Sequence, residues 1–272
     1  EKIYPTPVET FLLILGSMLL FFTVSMIMMS IFAPSPEALR NTPLVAKLML
    51  LLGELSLGVI PVIYLYRRGY SLSVVLRLPG PPPIILWRFV PLGLGLILWL
   101  DEADRLIRLI FPPPEGYDRL MEETMVAGSL PELLLLILGA VVVAGIVEEA
   151  IFRGLLQASL EHYINVTRGV IYSSVGWAVL HLSDVSYHVT IPIFLFGICL
   201  GYFAWRTGSI WPGVLLHAMN NGIALLFYNL PFQETFPWYE WRGHVNPLLL
   251  FLGLIVVIRG FQYVEAYYAR ET

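Results

Sequence analysis

Residues 11–32 read FLLILGSMLLFFTVSMIMMSIF, a run without one charged side chain. A helix needs about 20 mostly apolar residues to cross the hydrocarbon core of a bilayer, so this stretch reaches across on its own. It is too long for the apolar region of a signal peptide and has no convincing cleavage site. It therefore reads as a permanent span, about 8–32, bounded by Pro34 and Pro36. Seven further stretches qualify, at about 44–66, 84–100, 131–158, 168–183, 189–205, 209–228 and 246–264. Arg88 and Pro91 interrupt the third, and the fifth is short. The fourth opens on Ser129-Leu130-Pro131-Glu132, which fits a capping box with proline in the first turn.

Composition leads to the same class. Of 272 residues, 57% are hydrophobic and 13% charged, against about 25% charged in an ordinary soluble domain. So little charge cannot cover a water-soluble globule of this size, and lipid must solvate much of the surface. A secreted or cytosolic enzyme and a disordered regulator are excluded, and a net charge of −4 leaves no basic footprint for nucleic acid. The single cysteine, Cys199, excludes a disulfide framework, a cysteine zinc site and a CxxC pair. The expected fold class is all-α, a polytopic membrane helical bundle of about eight transmembrane helices. Without internal repeats, it forms one integral membrane domain over 1–272.

An even number of spans puts both termini on one side. Ten cations fall there: Lys2, Arg67, Arg68, Arg77, Arg88, Arg153, Arg168, Arg206, Arg259 and Arg270. Six fall opposite: Arg40, Lys47, Arg105, Arg108, Arg119 and Arg242. The positive-inside rule then makes both termini cytoplasmic. Residues 101–111 read either as an amphipathic helix at the outer interface, with Leu106, Ile107 and Ile110 toward lipid, or as a solvated acidic loop.

Ionisable groups inside a membrane are costly, and each is by default a functional-site hypothesis. Here they are Glu54, Glu148, Glu149, Arg153, His181, His217 and the pair Asn220-Asn221, most of them within one stretch of about 75 residues. Adjacent helical residues point about 100° apart, so Glu148 and Glu149 cannot both face one centre. Arg153 follows Glu149 by four, the favourable order for an ion pair, which leaves Glu148 free for chemistry. His217 and Asn221 are also four apart and share a face, a spacing that suits two donors to an oxyanion, a metal site or a helix–helix lock. A glutamate beside a neutral histidine can deprotonate water, whereas Glu148, His181 and His217 together could instead ligate zinc. HExxH is absent, Ser173 and Ser174 lack a nucleophile elbow, and Cys199 sits in an apolar run that reads as core. Glu54, flanked by Gly53, Ser56 and Gly58, reads as a structural hydrogen-bonding residue where another helix approaches.

At these positions the sequence resembles the CAAX prenyl endopeptidase family, the type II, glutamate-type intramembrane proteases. That family lies within a wider group of CAAX proteases and bacteriocin-processing or immunity proteins. The matching elements are EExxxRG at Glu148-Glu149…Arg153-Gly154, an aromatic-xxx-His motif at Trp177…His181, and HxxxN at His217…Asn221. The second departs from the usual pattern, since Trp177 stands where phenylalanine is commoner. The resemblance covers about 130–230 and makes that stretch the catalytic core. It implies that Glu148 and His181 activate a water, that His217 and Asn221 form the oxyanion site, and that Glu149, Arg153 and Trp177 support them. The implied substrate is a prenylated or membrane-anchored peptide at the bilayer, cut near its C-terminus, with no firm cofactor. A zinc-dependent version and a non-enzymatic scaffold or immunity protein are the alternatives. In this topology the cavity opens to the cytoplasm. Glu148 then falls in the cytoplasmic half of its helix and His181 near the outer end of a shorter one, so the two must be brought to one depth.

Overall fold

The computed structural model describes residues 3–183 and 186–269; Lys2 and Arg270, counted in the charge argument, lie outside them. Each of the eight apolar stretches forms a helix. These are α1 (Pro7–Phe32), α2 (Pro43–Arg67), α3 (Phe89–Ile110), α4 (Leu130–Tyr163), α5 (Val166–Leu180), α6 (Thr190–Thr207), α7 (Trp211–Asn229) and α8 (Pro247–Tyr268). Among the described residues, six of them are long and apolar enough to cross a membrane: α1, α2, α3, α4, α6 and α8, two of these with short N-terminal extensions. The remaining two, α5 with 15 residues and α7 with 19, carry His181 at the end of one and His217 and Asn221 within the other. The protein is a polytopic all-α membrane bundle. Its outer helices show why lipid is required. Leu19, Met26, Phe251 and Leu252 are among many large apolar side chains left bare on α1 and α8.

α1 packs on α2, α3 on α8 and α5 on α6, while α4 and α7 thread the centre. Small residues set the close crossings. A Cβ on Gly95 would stand 2.7 Å from the carbonyl oxygen of Gly253, so α3 and α8 meet backbone to backbone. The central core joins Phe89, Phe152, Trp177, Phe196, Leu200, Phe203 and Leu216 from five helices.

Three local expectations change. Arg88 and Pro91 do not interrupt α3. They stand at its start, where a missing proline N–H costs nothing because the first four N–H groups have no partner inside the helix. The helix then runs unbroken to Ile110, so 101–110 is neither a separate interfacial helix nor a loop. Its acids are held by a segment far along the chain. Tyr239 donates to Asp101 at 2.7 Å, and Glu102 accepts from Val245 N–H at 2.9 Å and faces His244 Nδ1 at 2.8 Å. His244 and Val245 belong to the hairpin β1 (Glu240–Trp241) and β2 (His244–Val245). The Ser129 capping box is also diverted. Ser129 makes no cap hydrogen bond, because Glu132 instead accepts from the Ser129 hydroxyl and Gly128 N–H and meets the buried Lys47 ammonium at 3.5 Å. An unpaired ammonium there would cost more than a lost cap.

α4 is irregular where it matters. Its turns widen to π-helix at Ile137–Val143 and again at Ala150–Leu156, on either side of the Ala144–Glu149 segment. Such bulges often mark functional sites, because they displace a carbonyl or a side chain from its regular place. Depth is also settled by α4. Glu148 stands 15 residues before Tyr163, and His181 stands 15 after Val166. Both therefore stand about the same number of helical turns from the α4–α5 turn. Glu148 stands near mid-length of a helix longer at both ends than its apolar run suggests, just on the terminal side of the midpoint.

Candidate active site

Glu149 and Arg153 are wholly buried and lie in ion contact at 3.0 Å, the i,i+4 pair that the spacing predicts. The contact is off the hydrogen-bond axis, since Arg153 Nη1 and Nε have no hydrogen-bond partner among the described residues. The guanidinium lies over the Trp177 ring at 4.2 Å, and Nη2 makes a long contact with the Gly197 carbonyl at 3.5 Å. Glu149 has a second partner that sequence did not indicate: His217 Nδ1 is 3.2 Å from the same Oε1. Gly213, in the first turn of α7, makes room for this carboxylate, for a Cβ there would stand 2.5 Å from Glu149 Oε2.

Glu148, buried and one residue earlier, points to a different neighbour. Its Oε2 accepts a hydrogen bond from the indole N–H of Trp177. Trp177 also sets both histidines. Its ring meets His181 at 5.4 Å and His217 at 5.2 Å between centroids, each edge to face. Its carbonyl oxygen lies 2.9 Å from His181 Nδ1. A carbonyl only accepts, so Nδ1 carries the proton and Nε2 of a neutral His181 keeps a lone pair. The same logic at His217 gives an Nδ1–H directed at Glu149, so Nε2 can donate only when the ring is imidazolium. Glu149 and Arg153 together cancel, and an imidazolium beside them would leave one net positive charge facing the site.

Thus Glu148, Glu149, Arg153, Trp177, His181 and His217 form one connected cluster between α4, α5 and α7. Asn221 shares the His217 face, but its amide is anchored farther along α4. It donates to the Ala140 carbonyl at 2.9 Å, inside the first π segment, and accepts from Asn220 at 3.2 Å. Ala140 precedes Glu148 by about two turns. The Asn221 amide keeps a second N–H beyond the one committed to Ala140. Glu54 does not make the helix–helix hydrogen bond that its setting suggests. Its Oε2 is buried without a partner among the described residues, within electrostatic reach of Glu148.

Among the described residues no group of three or more His, Cys, Asp or Glu is placed to hold a metal ion. Glu148, His181 and His217 instead surround the indole of Trp177. A cavity of about 270 Å³ lies between α3, α6 and α7, lined by Ile193, Phe196, Asn220 and Ile223, with Asp104 and Arg108 at its rim.

Gly154 completes the first motif for a steric reason. A Cβ there would stand 2.8 Å from the Cα and carbonyl oxygen of Leu76, whose segment runs across α4. The backbone of that segment cannot give way as a side chain could. Gly154→Ala should lower stability by about 1–3 kcal/mol, read as an earlier thermal unfolding transition in detergent. An unchanged transition would show that the Leu76 segment is free to move.

Fold and site together define a class: a polytopic all-α membrane protein with a buried glutamate–arginine–histidine cluster at its centre. Residues 130–223, which hold every member of that cluster, are similar to the family model described as type II CAAX prenyl endopeptidase Rce1-like, a match that covers about a third of the chain. No curated protein and no solved structure gives a match. The family implies an intramembrane endopeptidase acting on membrane-associated substrates.

Proposed function

We propose that the protein hydrolyses a peptide bond near the C-terminus of a prenylated CAAX-type or otherwise membrane-tethered protein. Glu148 and His181 would activate the water, and His217 and Asn221 would take up the oxyanion. One observation supports this division above others. Glu149 takes both the Arg153 and the His217 contacts, whereas Glu148 accepts a hydrogen bond from a neutral N–H on one oxygen and keeps the other for chemistry.

The chemistry then follows in two steps. A water donates its hydrogens to the free oxygen of Glu148 and to Nε2 of His181, which raises the electron density on its oxygen. That oxygen bonds to the scissile carbonyl carbon as one proton passes to Glu148, and the carbonyl π pair moves onto oxygen. His217, as imidazolium, and the free N–H of Asn221 face this developing charge. When the oxyanion re-forms the carbonyl, the C–N bond breaks and Glu148 returns its proton to the departing amine. One water is consumed, and the glutamate is regenerated. Metal is not needed at any step.

The arginine excess supports cytoplasmic termini, and the active-site opening would lie on that same side. As a test, the purified protein in detergent should cut a farnesylated peptide ending in CAAX, and a chelator should leave the rate unchanged. Loss of cleavage on chelation with recovery on added zinc would favour the metal version. No cleavage by the wild-type chain would favour the scaffold reading, in which the ion pairs only tie helices together.

A further inference from the structure

Trp177 stands where the resembling family more often has phenylalanine, and the two rings differ in one chemical respect. Both offer an aromatic face, but only the indole carries an N–H, and here that N–H is spent on Glu148. The indole is 3% exposed and touches the cluster on every side. The Arg153 cation covers one face, and the His181 and His217 rings meet it edge to face. The Trp177 carbonyl fixes the His181 tautomer. Gly197 allows this arrangement, since a Cβ there would come within 3.2 Å of the indole carbon Cε3. A ring clamped in this way cannot swing, so its N–H is a rigid donor.

We infer that Trp177 is a positioning residue for the reaction, its indole N–H pinning one oxygen of Glu148 so that the other faces the attacking water. The inference rests on the proposed hydrolysis and adds a requirement to it. An unpinned carboxylate turns about its last torsion, which is broad and roughly two-fold, and spends its time in orientations that do not meet the water. A glutamate with one oxygen anchored is ordered before substrate arrives, and preorganisation of this kind acts on the rate of the chemical step rather than on binding. The other ionisable groups around Glu148 are Glu54 from α2, Glu149 and Arg153 from α4, and the two imidazoles, and none of them makes a hydrogen bond to its carboxylate among the described residues.

The test compares Trp177→Phe, which keeps the aromatic face, with Trp177→His, which restores an N–H on a smaller ring. Cleavage of the farnesylated CAAX peptide should lose about ten- to a hundredfold in kcat in the phenylalanine variant. KM should stay within about twofold, because an orienting interaction made equally in free and bound enzyme leaves binding unaltered. The histidine variant should recover part of the loss. In infrared difference spectra against Glu148→Gln, the Glu148 carboxylate band should shift in Trp177→Phe, a change that mere loss of packing would not produce. Wild-type kcat in Trp177→Phe, with Glu148→Gln inactive, overturns the inference and leaves the hydrolysis standing. Full activity of Glu148→Gln overturns both. Should Trp177→Phe fail to fold, the infrared band of Trp177→His decides: an unshifted band supports N–H anchoring, and a band displaced to the position of a free carboxylate rejects it.

Discussion

Glu148→Gln should abolish cleavage of a prenylated CAAX peptide while leaving a folded bundle. The substitution keeps the length of the side chain and one carbonyl oxygen, which can still accept the Trp177 N–H. The amide cannot, however, take a proton from water. A positioned general base contributes about 10²–10⁴-fold. Because the same carboxyl also returns the proton to the leaving amine, its loss affects both steps, and the fall should reach at least about a thousandfold. Stability should change little or rise, since a buried carboxylate without a cation partner is replaced by a neutral amide. Thus kcat collapses while the melting transition holds, a combination that structural damage does not give. Glu149→Gln should behave differently. It removes the counter-charge of a fully buried guanidinium, so its activity loss should come with a lower melting point. If both variants lose stability and activity in parallel, the division of labour between the adjacent glutamates is refuted.

The pairing of Glu149 with Arg153 was legible in the sequence because it is local. Four residues separate Glu149 from Arg153, and helix geometry alone pairs them and turns Glu148 aside. The spans were legible because an apolar run of sufficient length needs no tertiary knowledge to be read. What sequence missed was decided across distance. Asp101 and Glu102 read as the start of a loop or interfacial helix because their partners, Tyr239, His244 and Val245, lie about 140 positions away. The Ser129 cap was lost to Lys47, a residue on another helix. Trp177 read only as a supporting residue because its partner is 29 positions back, although an indole, which can only donate, near an acid left out of the ion pair was itself a usable signal. The second role of His217, facing Glu149, had no local trace at all. Glu54 looked like a hydrogen-bonding lock because small neighbours promise close packing, and nothing local shows that its oxygen finds no donor.

Arg153→Met should be the most destabilising single change in the cluster, and its cost should fall when Glu149 is neutralised with it. Methionine fills much of the same space, so the dominant effect is electrostatic rather than a cavity. Removing one partner of a buried pair leaves the other as an uncompensated charge, at about 3–5 kcal/mol. Loss of the cation over the Trp177 ring adds to this, by about 2 kcal/mol in a desolvated setting. Lipid and apolar core surround the site, so water cannot enter freely to solvate Glu149. Among the described residues, the remaining contact of Glu149 would be the His217 imidazole. In the double variant Glu149→Gln/Arg153→Met neither member of the ion pair leaves the other as a bare charge, and thermal unfolding in detergent should return at least half of the single-variant loss. A double-mutant cycle isolates this coupling because the two side chains touch and share one network. Additive losses, with no recovery in the double variant, would mean that Arg153 stabilises the bundle through packing and the Gly197 contact, and that its charge is neutralised by something other than Glu149.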